Sequence, residues 1–187
     1  MNNRNQWLLP VLIIFLITST ALLATGCRGG ENLPANQKIT LDFFAADDVF
    51  EVAVSVAHLY GAHDPRVDVR ITYDEGASLA AMIEAGYRCD VYLADHPSYI
   101  DWLDGDVESS ANPNGNDLLI PGSRTDLIVK QAQESEDGEE FSEHAYSIAA
   151  INSSAHPAEA EKFIAFLKDG SCDAIYEEYG YSRVAQP

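Results

Sequence analysis

The sequence has 187 residues, of which 30 are Asp or Glu and 11 are Lys or Arg, so its formal net charge at pH 7 is −19. Such a surface repels nucleic acid, because proteins bind phosphate backbones by neutralising them with Lys and Arg. Nucleic acid is therefore excluded as a partner. An apolar fraction of 47% over this length is sufficient for one domain with a hydrophobic core.

The first 26 residues differ in composition from the rest of the chain. Arg4 precedes an apolar run from Trp7 to Ala24, and the segment contains no Asp or Glu, which is typical of a secretory signal peptide. The run ends at Leu23-Ala24-Thr25-Gly26-Cys27, which resembles a lipobox, so residues 1–26 are predicted to be removed and Cys27 to be lipidated. An uncleaved anchor is the alternative, since roughly 17 apolar residues are at the lower limit for spanning a bilayer. Both alternatives place the remainder on the periplasmic or extracellular face of a bacterial membrane.

Residues 27–37 are rich in Gly, Pro and amide side chains, which predicts a tether. The folded body is predicted to be a single α/β domain over residues 38–187. In its first half, strand-type and helix-type spacing of apolar residues alternate three times. The strands are 39–44, 67–73 and 90–94, and helical stripes follow each of them at 49–59, 79–86 and 99–103. Three consecutive strand–helix units favour a doubly wound, mostly parallel sheet with helices on both faces.

The second half begins with a surface loop, predicted over residues 106–123 from its Asn, Gly, Pro and Ser content. Two further strands are predicted at 126–130 and 144–151. Residues 131–143 between them carry six acids and one aromatic, which predicts a short acidic connector that does not pack. Two helices close the chain. Pro157 opens the first of them, and Ser171 is predicted to cap the second, which stops at Gly180.

The chain contains three cysteines. With Cys27 assigned to the lipid, Cys89 and Cys172 remain in an oxidising compartment, where they form a disulfide or stay as two separately buried thiols. The spacing of cysteines and histidines does not match a zinc site. No serine has a histidine at motif spacing, and the sequence contains no phosphate loop or nucleophile elbow. We therefore predict that the protein is not an enzyme and holds no cofactor or metal.

Several segments match one protein family in order and spacing. They are residues 38–46, 69–73, 76–86, 89–95, 146–160, 163–167 and 178–181. In this order they resemble the molybdate ABC-transporter substrate-binding proteins, a family of type II periplasmic binding proteins. The resemblance covers residues 38–184. It implies a periplasmic-binding-protein-like lobe, a small oxyanion or other small solute as ligand, and an ABC permease as partner.

Two departures from this family bear on function. The family has a second α/β lobe between the strands that correspond to 126–130 and 144–151, where this chain has only the acidic connector. The family also holds its oxyanion with serine hydroxyls and backbone amides at two helix amino termini. Those serine positions correspond here to Asp48 and to Glu75 or Gly76. The resemblance therefore implies a single lobe that offers half of a ligand site and lacks both serines.

Acidic residues follow three strands of the predicted sheet: Asp47 and Asp48, then Asp74 and Glu75, then Asp95. With Gly76 they are predicted to line the ligand position, because ligands of such sheets bind at the carboxyl ends of the strands. A dianion about 5 Å from one carboxylate is repelled by roughly 1 to 6 kcal/mol, which opposes oxyanion binding. Helix capping is the alternative role for these acids, with Asp48 and Glu51 as a capping box and Asp74 as the cap of the next helix.

These observations predict a membrane-anchored, extracytoplasmic solute-binding lipoprotein of an ABC transporter, of the molybdate type by resemblance. A non-transport interaction or scaffold lipoprotein is one alternative, because a lobe without an opposing lobe does not enclose a ligand. A weak cation binder is another, because clustered carboxylates supply the oxygen ligands that hard cations take. Tyr73, Tyr92 and Tyr146 are interpreted as aromatics at the edge of the core rather than as ligand contacts.

Overall fold

The computed structural model describes residues 38–105, 115, 117–130 and 145–185. The predicted signal peptide 1–26, the tether 27–37 with Cys27, and the acidic connector 131–143 lie outside the described residues, and they stay predictions. The same holds for residues 106–114 and 116 of the predicted surface loop.

The first half of the chain alternates strands and helices as its periodicity predicts. Strand β1 spans Ile39–Ala46, β2 spans Val67–Asp74 and β3 spans Val91–Ala94. A 3-10 turn at Asp47–Val49 leads into helix α1, Phe50–His63, while α2 spans Gly76–Glu84 and α3 spans Pro97–Asp101. Helix α1 buries Val52, Val56 and Tyr60, which lie on one face because they are four residues apart.

The second half contains β4 at Thr125–Lys130, β5 at Ala145–Ala150, α4 at Pro157–Lys168, α5 at Asp173–Glu178 and β6 at Tyr181–Arg183. Pro157 opens α4 as predicted. The predicted cap at Ser171 is wrong, because α5 starts after Cys172 without a side-chain cap. The Ser171 amide instead donates to Asp169 Oδ1 at 2.8 Å. Strand β6 was not predicted, since three residues are too few to show a strand pattern.

The described strands form one six-stranded sheet in the order β2-β1-β3-β5-β4-β6. Strand β1 pairs in parallel with β2 and with β3, whereas the pairs β3–β5, β5–β4 and β4–β6 are antiparallel. The predicted α/β class is confirmed, but the parallel arrangement holds only for the first three strands. The period-2 pattern that predicts a strand carries no information about its direction, so the direction of the later strands was not available from it.

The buried side chains of β1 identify which helices cover each face of the sheet, because successive residues of a strand point to opposite faces. Phe43 belongs to a core cluster that includes Phe163 of α4 and Tyr176 of α5. Its neighbour Phe44 belongs to a second cluster that includes Leu79 of α2. Helices therefore cover both faces, and the predicted doubly wound lobe is confirmed for the described residues, which all lie in one compact unit.

Cys89 and Cys172 are both free and buried. Cys172 lies in the first core cluster and Cys89 in the second, so the sheet separates the two sulfur atoms. The possible disulfide is thus ruled out, and the alternative of two separately buried thiols is correct. Burial raises the pKa of Cys172 to about 11 and raises the pKa of Cys89 well above its ordinary value. Both side chains therefore stay protonated at neutral pH.

The strand register defines the edge of the sheet that carries the predicted site. Ala46 at the end of β1 pairs with Asp74 at the end of β2, and the end of β3 lies on the other side of β1. Ala94 of β3 pairs with Ser147 of β5, and the end of β4 pairs with the start of β5. The carboxyl ends of β1 to β4 and the start of β5 therefore meet at one edge. None of the helices in the described ranges is long and apolar enough to cross a membrane.

Candidate functional site

The predicted site residues all lie at this edge, which we call the carboxyl-end rim: Asp47, Asp48, Asp74, Glu75, Gly76 and Asp95. Strand β1 lies between β2 and β3 in the sheet, so the two acids that follow it lie between those that follow β2 and β3. Asp47, Asp48, Asp74 and Glu75 are exposed, Asp95 is half-buried and Gly76 is buried. The topology therefore brings together residues that are up to 48 positions apart in the sequence.

Asp48 does not cap α1, and the predicted capping box with Glu51 is wrong. The 3-10 turn at Asp47–Val49 separates β1 from α1, so the residue before the helix is Val49 and no side chain caps the helix. Asp48 is then one position too early to be the N-cap. Its carboxylate oxygen Oδ2 instead accepts a hydrogen bond from the Tyr146 hydroxyl at 2.5 Å.

Two tyrosines hold the Asp48 turn. The Tyr181 hydroxyl donates to the Asp48 carbonyl oxygen at 3.1 Å, and the rings of Tyr146 and Tyr181 pack edge to face with centroids 5.4 Å apart. Burial, and then the bond to Asp48, raise the pKa of Tyr146 far above its ordinary value, so its hydroxyl remains a donor at any physiological pH. The turn after β1 is therefore tied to the first residues of β5 and β6.

We expect the substitution Tyr146→Phe to lower the free energy of unfolding by about 1–2 kcal/mol, because it removes a hydrogen bond to a charged acceptor while keeping the ring. Urea unfolding of the purified protein measures this loss. Tyr87→Phe is the matched control, since Tyr87 is exposed, and its effect should stay within about 0.5 kcal/mol. Equal effects of the two substitutions would show that the Tyr146–Asp48 bond does not stabilise the turn.

Asp74 and Glu75 lie at the end of β2, the edge strand of the sheet. Glu75 occupies the N-cap position of α2, but no side chain caps this helix, so the predicted capping role of Asp74 is also wrong. Asp74 Oδ1 accepts a hydrogen bond from the Glu75 amide at 2.8 Å. Glu75 precedes the first helical residue, so this bond does not cap an amide of the helix. The amino end of α2 therefore has no capping carboxylate from the residues that precede it.

Asp95 directly follows β3 and lies against the amino end of α2. A Cβ atom placed on Gly76 would lie 2.0 Å from Asp95 Oδ1 and 2.9 Å from the Tyr99 ring, so any larger residue would force these side chains to move. Asp95 Oδ1 is buried and has no hydrogen-bond partner. On the other side, the Tyr92 hydroxyl donates to the Gly76 carbonyl oxygen at 2.7 Å. The first residue of α2 is thus enclosed by Asp95, Tyr99 and Tyr92.

The negative charges of the rim act on one another. Burial raises the pKa of the Asp95 carboxyl above its ordinary value, and the charges of Asp48 and Asp47 raise the pKa further. A carboxyl whose pKa is raised by folding destabilises the folded state when it is ionised. This cost is absent below pH 3.8, the ordinary pKa, and develops as the pH rises. The charges of Asp47 and Asp48 are therefore close enough to Asp95 to disfavour its ionisation.

Several contacts at this edge were not predicted from the sequence. These are the hydroxyl bonds of Tyr146, Tyr181 and Tyr92 described above, and the bond from Ser147 Oγ to Asp126 Oδ1 at 2.5 Å. Tyr92 and Tyr146 are buried, as expected of core-edge aromatics, while Tyr73 is exposed and packs on the Phe50 ring with centroids 4.2 Å apart. The sequence does show tyrosines near the ends of predicted strands. It does not show their hydrogen-bond partners, because these are distant in the sequence.

Two further observations concern metal binding and cavities. Within the part of the chain that the structure describes, no three His, Cys, Asp or Glu side chains are grouped so that they could hold a metal ion. A cavity of about 410 Å³ lies between the turn at Pro121–Ser123 and helix α4, where Ile164 and Lys168 contribute to its wall. None of the six rim residues lines this cavity, so it is a separate feature of the surface.

Solved structures of other proteins share this fold. The substrate binding domain of a putative molybdenum ABC transporter from Clostridium difficile matches with a TM-score of 0.62 and 15% identity over 78% of this chain and 99% of the other. The periplasmic molybdate-binding protein of Azotobacter vinelandii matches with a TM-score of 0.60 and 14% identity over 78% of this chain and 100% of the other.

A third similar structure is iron-bound HitA from Pseudomonas aeruginosa, with a TM-score of 0.54 and 11% identity over 75% of this chain and 84% of the other. No protein-family model matches the chain, and no curated protein matches it either. At identities of 15% or less, these likenesses concern the fold alone. The chain shares the fold of these substrate-binding and molybdate-binding structures.

Proposed function

We propose that this chain is an extracytoplasmic solute-binding lipoprotein that receives a small solute at its carboxyl-end rim and serves an ABC permease. One observation carries the proposal: six predicted residues converge where three parallel strands end, which is where open α/β sheets bind ligands. The likeness to a transporter's substrate-binding domain and to a molybdate-binding protein supports a binding role rather than an enzymatic one.

The proposal includes a membrane anchor and a reduced architecture. Cys27 would carry the lipid and residues 27–37 would form the tether, which places the lobe on the periplasmic or extracellular face of the membrane. The acidic connector 131–143 would stand where the resembling family has its second lobe. A solute held by one lobe buries less surface than an enclosed one, so we expect modest affinity.

The fold does not determine the charge of the ligand, since similar structures include a molybdate-binding protein and an iron-bound protein. The charge is inferred instead from the side chains of the rim. Five of the six rim residues are acids. A dianion about 5 Å from each of two or three carboxylates is repelled by several kcal/mol in total even at a water-like dielectric constant. Molybdate is thus a poor fit, and we propose a solute that is neutral or positively charged.

A screen of small solutes for an increase in the unfolding temperature tests this function. A ligand present at about 100 times its Kd adds about 2.7 kcal/mol of stability, so a modest binder is detectable at high concentration. We expect neutral or cationic solutes to stabilise the protein, with a smaller effect in the Asp47→Asn variant. Asp68→Asn is the matched control, because Asp68 is exposed on β2 away from the rim.

Two results would contradict the proposal. One is that no solute raises the unfolding temperature of the wild type. The other is that the stabilising effect of a solute is the same in Asp47→Asn and Asp68→Asn, because the ligand would then bind elsewhere. A metal ion bound at stoichiometric amounts would assign the ligand to the cationic class.

An interaction or scaffold lipoprotein is a second candidate function. One observation favours it: the Asp48 carboxylate already accepts a hydrogen bond from Tyr146, so part of the rim is occupied by the chain itself. Such a protein would present the lobe to a membrane partner without capturing a solute. Co-purification with a permease supports transport, whereas co-purification with an unrelated envelope protein, together with a negative solute screen, supports the scaffold.

A further inference from the structure

The contact between Asp95 and Gly76 is the most unusual feature of the rim. Asp95 Oδ1 is buried without a hydrogen-bond partner, and buried polar atoms in native proteins are nearly always paired. The oxygen lies so close to Gly76 that it would overlap a Cβ atom placed there. It therefore occupies space at the first residue of α2 without making the hydrogen bonds of a helix cap.

The amino end of α2 would otherwise suit an anion. Helix α2 has nine residues, no acidic residue in its first turn and no side-chain cap. The amides of a first turn have no partners within the helix, and the helix dipole places a partial positive charge there. The Asp95 carboxylate lies against the first residue of this turn, so its negative charge opposes an anion bound to these amides.

We propose that Asp95 is a specificity-determining residue, which excludes oxyanions from the amino end of α2 through both its charge and its volume and leaves the rim to neutral or cationic solutes. This inference rests on the proposed solute-binding function and names the residue that sets its ligand class. Asp47 and Asp48 carry the same sign of charge and also repel anions. They lie in the turn after β1, whereas Asp95 is the acid that contacts α2.

Molybdate titrated into the purified full chain tests this role by calorimetry. Asp95→Asn removes the charge and keeps the shape, while Asp95→Ala removes both. We expect each variant to bind molybdate at least about tenfold more tightly than the wild type, because a unit charge about 5 Å from a dianion has at least this effect. The alanine variant should bind more tightly than the asparagine variant if volume contributes.

Asp74→Asn is the matched control for these titrations. It makes the same change of charge at the same rim, but Asp74 is exposed and bonds only its neighbouring amide among the contacts described above. Water screens such a charge, so we expect a change in molybdate affinity of less than about threefold. Tight molybdate binding by the wild type would overturn the inference. An equal gain in the Asp95 and Asp74 variants, or no gain in either Asp95 variant, would overturn it as well.

A second measurement needs no ligand. Gly76→Ala should destabilise the wild type, because the added Cβ overlaps Asp95 Oδ1, and it should destabilise the Asp95→Ala variant less. Equal losses in both backgrounds would show that the two residues do not touch, and would overturn the inference. If the solute screen finds a ligand but Asp95 behaves like Asp74, only the inference fails. If no solute binds the wild type but Asp95→Ala binds molybdate, the proposed function fails, and only the exclusion of oxyanions by Asp95 stands.

Discussion

Replacing Phe163 with alanine is expected to lower the free energy of unfolding by about 3–5 kcal/mol, the range for removing a buried aromatic side chain. Phe163 is fully buried in α4. Its ring packs edge to face on Phe43 of β1 with centroids 5.2 Å apart, and on Tyr60 of α1 at 4.9 Å. Truncation therefore leaves a cavity where the sheet and two helices meet, and the lost aromatic contacts add to the cost.

Thermal or urea unfolding measures this effect, and a loss of this size corresponds to roughly 10 °C in the unfolding temperature. Val54→Ala is the control, because Val54 also lies in a helix but is exposed, and it should change stability by no more than about 0.5 kcal/mol. A loss below about 1 kcal/mol for Phe163→Ala would mean that α4 does not pack on β1 as described.

The positions of the core elements could be predicted because the information is local. Phe163 lies on a helical stripe that starts after Pro157, a residue favoured at the first position of a helix, and the structure places both as expected. The strand pattern likewise located β1, β2 and β3 to within two residues at each end, which is the usual precision for element boundaries. Periodicity encodes which face of an element is buried, and burial is what drives these elements together.

Capping and strand direction could not be predicted in the same way. Asp48 and Glu51 have the spacing of a capping box, but a 3-10 turn shifts the start of α1 to Phe50. The carboxylate of Asp48 instead accepts a hydrogen bond from Tyr146, 98 positions later in the chain. A sequence pattern ranks local partners only. When a distant hydroxyl is brought closer by the fold, it replaces the local partner, and nothing in the pattern signals the exchange.

The rim has one feature that the sequence predicts and one that it does not. Its membership was predictable, because residues that follow parallel strands meet at one edge of the sheet. The contact of Asp95 with Gly76 was not predictable, because it depends on the distance between the end of β3 and the start of α2 in three dimensions. The overlap that a larger residue at position 76 would make with Asp95 becomes visible only when that distance is known.

The substitution Asp90→Ala is expected to cost about 2–4 kcal/mol of stability, since it removes a buried charged acceptor from two donors. Asp90 is 3% exposed. Its Oδ2 accepts from the Asp42 amide at 2.7 Å, and its Oδ1 accepts from the Ser154 hydroxyl at 2.5 Å. The side chain thereby joins the middle of β1 to the turn that precedes α4. Without it, the Asp42 amide is left in the interior with no acceptor, and the desolvation cost of that group is no longer offset.

Asp90→Asn separates the loss of hydrogen bonds from the loss of charge. Its amide oxygen can still accept from Asp42, and its NH₂ group can donate to the Ser154 oxygen, so we expect less than half of the alanine effect. Urea unfolding of both variants provides the comparison. The Asp42 side chain is buried as well, and Arg70 lies 2.5 Å from its carboxylate and supplies the compensating charge. If alanine and asparagine cost the same, the charge of Asp90 rather than its two hydrogen bonds holds β1 to this turn, and the bonded arrangement described here would be wrong.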